Sequence, residues 1–194
     1  FPRWLTWLLV LAGLAAGAYL RLIGIDWDAE QHLHPDERFL TMVETSIMPV
    51  TTLTEYFNTG SSPLNPANRG HSFFVYGTLP IFLVRYLAEW TGANGYGSVY
   101  LLGRALSATV DLLSVLVVFL IGTRLLDRRV GLLAAAFAAF AVLQIQQSHF
   151  FTVDTFLTFF SVLAVYFAVE VASGDVNQVR FSSFLWFGVA LGLA

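Results

Sequence analysis

Unbroken apolar runs, rather than short periodic stripes, set the pattern of this chain. A helix needs about 20 mostly apolar residues to cross the roughly 30 Å hydrocarbon layer of a bilayer. Residues 4–23, 99–123, 130–149 and 153–172 each meet that length, and a further run starts at Phe181 and continues to Ala194. Trp4 and Trp7 flank the first run at one end and Tyr19 and Trp27 at the other, as expected of rings that settle at the headgroup level. Residues 24–72 break the pattern with seven acids, two Arg and three His, and with turn material such as Asn58-Thr-Gly-Ser-Ser-Pro63. They make up most of an outer loop, 24–98. Within it, 73–90 is long enough to span, but Pro80 interrupts it, and Tyr76, Arg85, Tyr86, Glu89 and Trp90 give it a polar, aromatic edge. The pattern predicts an all-α fold: a polytopic transmembrane helix bundle with juxtamembrane helices in the first outer loop.

Composition agrees. Hydrophobic residues make up 57% and charged residues 12%, against roughly 45–50% and about 25% in soluble domains. The chain has no Cys, which removes a disulfide framework, a thiolate metal site and a Cys nucleophile. It also lacks Lys, and with ten Arg and thirteen acids the net charge is −3, so no nucleic-acid partner is expected. The first apolar run is too long for a cleaved signal core and is expected to be a permanent anchor in the plasma membrane. The chain starts at Phe1 without Met and stops at Ala194 inside an apolar run, so 1–194 reads as the amino-terminal part of one membrane module.

Charge also orients the spans. Arg3, Arg124, Arg128, Arg129 and Arg180 fall on one side, the cytoplasmic one, if 73–90 lies flat at the interface. If 73–90 crosses, the Arg-rich loop is forced outside, so side-counting favours the flat helix. The loop 24–72, the start of the second span near Arg104 and the turn 147–154 then share the extracytoplasmic face. No phosphate-binding Gly-rich loop and no internal repeat occurs.

The densest polar stretch runs from Asp26 to Arg38. Pro35 suits the first turn of a helix, which puts Asp36 and Glu37 where the dipole favours carboxylates. They are either a helix start or a general base beside a second carboxylate, where a lipid-borne substrate meets water. His32 and His34 alternate as metal ligands do, which makes a divalent ion a candidate cofactor. The stretch 144–155 ends one span and begins the next, and it brings His149 as a substrate-binding candidate and Asp154 as a cap or a second catalytic acid. Arg104 lies about one turn inside a span, with Asp111 seven residues on along the same face. Buried charges of this kind pair with each other or with a polar neighbour, or serve a ligand. Arg104 is thus either an ion-pair residue or a forked donor for a phosphate or for Asp36 and Glu37. Arg85 and Arg69 are further phosphate candidates, and Glu170 is a partner for one of the inner Arg residues.

Five blocks in order carry a resemblance: Leu20-Arg-Leu-Ile-Gly24, His34-Pro-Asp-Glu-Arg38, Tyr76-Gly-Thr-Leu-Pro80, Gly103-Arg-Ala-Leu-Ser107 and Val153-Asp-Thr155. The chain resembles the amino-terminal half of the C-type glycosyltransferases that use polyprenyl-phosphate sugars. It is most similar to bacterial relatives of protein O-mannosyltransferases and of the lipid A aminoarabinose transferase. The resemblance implies a lipid-embedded enzyme with Asp36 as the base that activates an acceptor hydroxyl and Glu37 beside it. It further implies Arg104 near that loop and Asp154 as a second acid. Relatives differ in metal dependence, so the metal stays unassigned. Two other readings compete: a non-catalytic structural subunit of a larger membrane complex and, less favoured, a transporter, which would show broken spans with paired charges at mid-bilayer.

Overall fold

The computed structural model describes residues 2–174 and 181–194. Every regular element among them is helical: α1 (Arg3–Leu22), α2 (Pro35–Ser46), α3 (Leu53–Phe57), a 3-10 turn (Pro66–Arg69), α4 (Leu79–Thr91), α5 (Tyr96–Leu125), α6 (Arg128–Phe140), α7 (Val142–Ser148), α8 (Asp154–Ala172) and α9 (Phe181–Leu193). The all-α membrane bundle expected from the sequence is therefore the observed class. Among the described residues, α1, α5 and α8 are long and apolar enough to cross a bilayer, and α6 with α7 adds a fourth if that bent pair is one span. The 13 residues of α4 give it a length of about 20 Å, less than the hydrocarbon layer. Arg180 lies outside the described residues. The chain divides into two compact units, one of Phe1–Ile23, Ser107–His149 and Asp154–Ala194, the other of Gly24–Leu106 and Phe150–Val153.

In the first unit, α6 buries Gly131, Ala135 and Ala139, spaced by four. Small residues at that spacing let helices in lipid approach closely. The core they join contains Val10, Val115 and Phe119. Approach is tightest at Gly131, where a Cβ would stand 2.6 Å from the Phe119 carbonyl oxygen, and at Gly122, where one would stand 2.8 Å from the Cα of Gly131. At the far end of α1, Arg21 is fully buried. Its Nε donates to Asp111 Oδ2 at 2.6 Å, and Nη1 donates to the carbonyls of Gly17 and Ala139 at 3.1 and 2.8 Å. The other terminal nitrogen, Nη2, reaches the Ala138 carbonyl at 3.4 Å.

Those contacts correct one sequence expectation and decide between the alternatives of another. The run 130–149 is not one straight helix: it breaks at Ala141 (ψ 120°) and bends by 56°. An unbroken helix would use the Ala138 and Ala139 carbonyls to accept from residues 142 and 143. A break in lipid is tolerable only if those oxygens find other donors, and the Arg21 guanidinium supplies them. No Pro marks the break in the sequence. Asp111, which the sequence assigns to Arg104 or to a polar neighbour, pairs with the neighbouring Arg21. Glu170 does find an inner Arg, at 2.8 Å from Arg124.

The second unit is built on two matching stripes. Buried positions on α2 are 37, 40, 41, 43 and 44, with Ile47 just beyond, and those on α4 are 80, 81, 84, 85 and 88. Leu40, Val43 and Ile47 pack with Ile81, Val84 and Ala88, and Leu64, Val99 and Phe151 complete the core. Pro35 opens α2 at the first helical position, and the His34 ring accepts from the Glu37 amide at 3.4 Å. The helix start legible in the sequence is the one that forms, and it fixes the direction of Asp36 and Glu37.

Candidate functional site

The site in the second unit is organised by Arg104, which sits on α5 with no solvent exposure. Its Nε and Nη2 donate to Glu37 Oε1 and Oε2 at 2.7 and 2.6 Å. Nη2 also reaches Asp28 Oδ1 at 3.0 Å, and Nη1 donates to the Ile25 carbonyl at 2.7 Å. The guanidinium plane lies by the rings of Tyr100 and Trp27, 4.6 and 5.4 Å from their centroids. Two carboxylates more than balance this one cation, so Arg104 is a clamp on Glu37 and not a donor held ready for phosphate.

Glu37 is equally committed. It is fully buried, and its Oε1 also accepts from the Phe151 amide at 2.8 Å. A fork-to-carboxylate contact of this geometry is among the stronger charge-assisted hydrogen bonds. It secures the first turn of α2 to α5 and to the short segment Phe150–Val153. Gly103 permits this, because a Cβ there would overlap the Phe151 ring. The neighbouring Asp36 differs: it is half-buried, its Oδ1 accepts from the Tyr76 hydroxyl at 3.0 Å, and its Oδ2 has no partner among the described residues. Of the two adjacent acids, Asp36 is the one with an oxygen available for a proton.

The loop before α2 is held in an unusual conformation. Ala29, Glu30 and His32 all have positive φ, at 46°, 67° and 47°, a region that non-glycine residues enter at a cost. Asp28 Oδ2 accepts from the Leu33 amide at 3.2 Å, and Asp26 Oδ1 accepts from the Tyr100 hydroxyl at 2.5 Å. His32 is buried, with ring centroids 4.3 and 4.7 Å from those of Tyr96 and Tyr100. His34 packs on Phe150 at 4.3 Å. Both ring nitrogens of His32 are buried without a hydrogen-bond partner. No group of three or more His, Asp or Glu side chains among the described residues is arranged to hold a metal.

Arg85, a phosphate candidate by sequence, is buried in the α4 stripe. It donates to Glu89 at 2.6 Å, and its Nε has no hydrogen-bond partner. From α2 the fully buried Glu44 faces the same packing layer with both carboxylate oxygens unpartnered. Burial pushes the Glu44 carboxyl up to about 8, with the Arg85 charge opposing. Arg69 donates to the Ser46 carbonyl at 2.7 Å, which ties the 3-10 turn to the end of α2.

His149 and Asp154 belong to the first unit. His149 Nδ1 lies 2.8 Å from the Ile145 carbonyl and Nε2 lies 3.0 Å from the Ile23 carbonyl, so both ring nitrogens meet backbone oxygens. Asp154 is the first residue of α8 and is exposed. Sequence reasoning missed Asp28, Trp27 and Tyr100 as the shell of Arg104. The signal was present in the Asp26-Trp-Asp28 triplet, but which acid reaches an Arg some 76 residues away depends on the path of the loop.

A buried Arg on α5 thus locks one acid of the adjacent pair that opens α2. A family model described as dolichyl-phosphate-mannose-protein mannosyltransferase matches residues 52–194. The chain belongs to this family. No curated protein and no solved structure matches it. Membership makes the protein a multi-pass membrane protein and a glycosyltransferase of the mannosyltransferase type. The matched residues contain Arg85, Arg104, His149 and Asp154 and begin after Asp36 and Glu37.

Proposed function

We propose that this protein transfers a sugar from a polyprenyl-phosphate carrier to an acceptor hydroxyl at the extracytoplasmic face of the plasma membrane, with Asp36 as the general base. The observation that carries the reading is the contrast between two adjacent acids. Glu37 spends both oxygens on Arg104 and Phe151, whereas Asp36 keeps Oδ2 without a partner, half-buried, and steadied through Oδ1 by Tyr76. Asp36 Oδ2 accepts the proton as the acceptor O–H bond breaks and the oxygen bonds to the anomeric carbon. The bond from that carbon to the phosphate oxygen breaks, and its electron pair leaves with the lipid phosphate. One displacement of this kind inverts the anomeric centre.

In this scheme Glu37 and Arg104 are positioning residues. They hold the first turn of α2 so that Asp36 does not swing by the rotamer change an unpinned helix end would allow. Asp154 enters as a second acid on the strength of the family resemblance alone.

The test is sugar transfer by the full chain in native membranes, with polyprenyl-phosphate mannose as donor. Loss of a general base costs typically 10²–10⁴-fold, so Asp36→Asn is expected to lose about that much turnover at unchanged thermal stability. Unimpaired transfer by Asp36→Asn removes the assignment. Asp154→Asn, assayed alongside, separates the two acids: a role as second acid requires a fall in turnover there as well.

A further inference from the structure

Two of the cations that the sequence assigns to the Arg-rich side, Arg3 and Arg128, take no part in the proposed chemistry. Both line one cavity of about 350 Å³ in the first unit, together with Thr6, Trp7, Phe119, Leu120 and Thr123. Neither has an ionic partner among the described residues. The neighbouring charges are already committed: Arg124 pairs with Glu170, and the Asp127 carboxylate caps α6 by accepting from the Arg129 and Val130 amides at 2.7 and 2.9 Å.

The order of residues along the helices defines the shape of the ligand. On α1, Arg3 stands at the tip, Thr6 next and Trp7 about one turn in. On α5, Thr123 lies near the carboxy-terminal end, and Leu120 and Phe119 lie about one turn deeper. Trp7 and Phe119 meet edge to face, with centroids 5.8 Å apart. Cationic at the rim and apolar along the membrane-spanning surface, the cavity fits an amphiphile whose anionic head stays at the helix ends while its chain runs along them. Basic pockets between membrane helices bind anionic lipid head groups in this way.

We propose that this cavity is a binding site for a phosphate-bearing anion, with the phosphate between Arg3 and Arg128, and that the apolar wall selects an anionic phospholipid over free phosphate. The site is separate from the Asp36 region and makes no demand on the glycosyltransferase reading.

Native mass spectrometry of the detergent-solubilised full chain tests it, with phosphatidylglycerol titrated against phosphatidylcholine. Phosphatidylglycerol is expected to be retained selectively, and the Arg3→Gln/Arg128→Gln double variant is expected to bind it about tenfold or more weakly. Arg129→Gln removes an equal charge from the same end without touching the cavity lining, and it is expected to bind as wild type. Competition by inorganic phosphate would identify free phosphate as a ligand of the same site, and lack of competition would identify the lipid. Equal retention of the two lipids overturns the proposal. So does a loss in Arg129→Gln that matches the double variant. Arg3 is exposed, so Arg3→Gln alone folds and keeps the test valid should the double variant fail.

Discussion

Replacing Glu44 by Gln probes the second unit where its packing is most demanding electrostatically. Glu44 and Arg85 occupy corresponding places in the facing stripes of α2 and α4, yet the carboxylate accepts no hydrogen bond. Its carboxyl is displaced upward from 4.5 to about 8 because burial penalises the charged form. Between those values the folded protein holds a proton that the unfolded chain has released. Stability must therefore fall as pH rises from about 4.5 to about 8 and level off above that. Each unit of displacement corresponds to about 1.36 kcal/mol, so the span sets a ceiling on the order of 5 kcal/mol. Gln cannot ionise, and any fixed cost of its amide shifts the whole curve without changing its slope. The difference in stability between wild type and Glu44→Gln is thus flat at low pH, turns steadily in favour of the variant toward about pH 8, and is flat again beyond. Hydrogen exchange at the α2 and α4 amides, referenced to intrinsic rates at each pH, measures it. A difference that stays constant to within about 1 kcal/mol between about pH 5 and pH 8, or that moves toward wild type, refutes the reasoning.

Gly103→Ala gains up to about 1 kcal/mol of helix propensity but forces a Cβ into the Phe151 ring. Overpacking costs about 1–3 kcal/mol and shifts the Phe151 amide off Glu37, so reduced transfer is expected, with recovery in Gly103→Ala/Phe151→Leu. If the single variant transfers normally, the Phe151 amide does not position Glu37. Arg21→Met is expected to destabilise by about 3–5 kcal/mol, because it leaves Asp111 and the carbonyls at the α6–α7 break without donors. Thermal unfolding in one detergent checks this. Arg21→Met/Asp111→Leu should recover part of the loss, and a stable single variant would mean the break is held by something else.

The candidate site was half legible. Pro35 and its following acids announce a helix start, and that local signal survives because a turn of helix depends on residues within four positions. The distinction between Asp36 and Glu37 was not legible. Both are carboxylates at the mouth of the same helix, and only the arrival of Arg104 and the Phe151 amide spends one of them. Spacing along α5 left Asp111 to Arg104 or to a polar neighbour; seven residues put the two about 10 Å apart along the axis, and each pairs with a nearer ion on another helix. The ring packing of the alternating His pair was not legible, because sequence spacing carries no information about which rings stand nearby.

Class, membrane setting and most helix positions follow from the sequence itself, since unbroken apolar length in a bilayer leaves a helix as almost the only way to satisfy the backbone. The kink at Ala141 does not follow from it. No local residue breaks α6 from α7; a guanidinium from α1 captures the carbonyls that would have carried the helix on. Which charge meets which, and therefore which acid stays available for chemistry, is decided by contacts between residues 67 to 118 positions apart. Such contacts depend on how helices pack, and packing is a property of the whole chain.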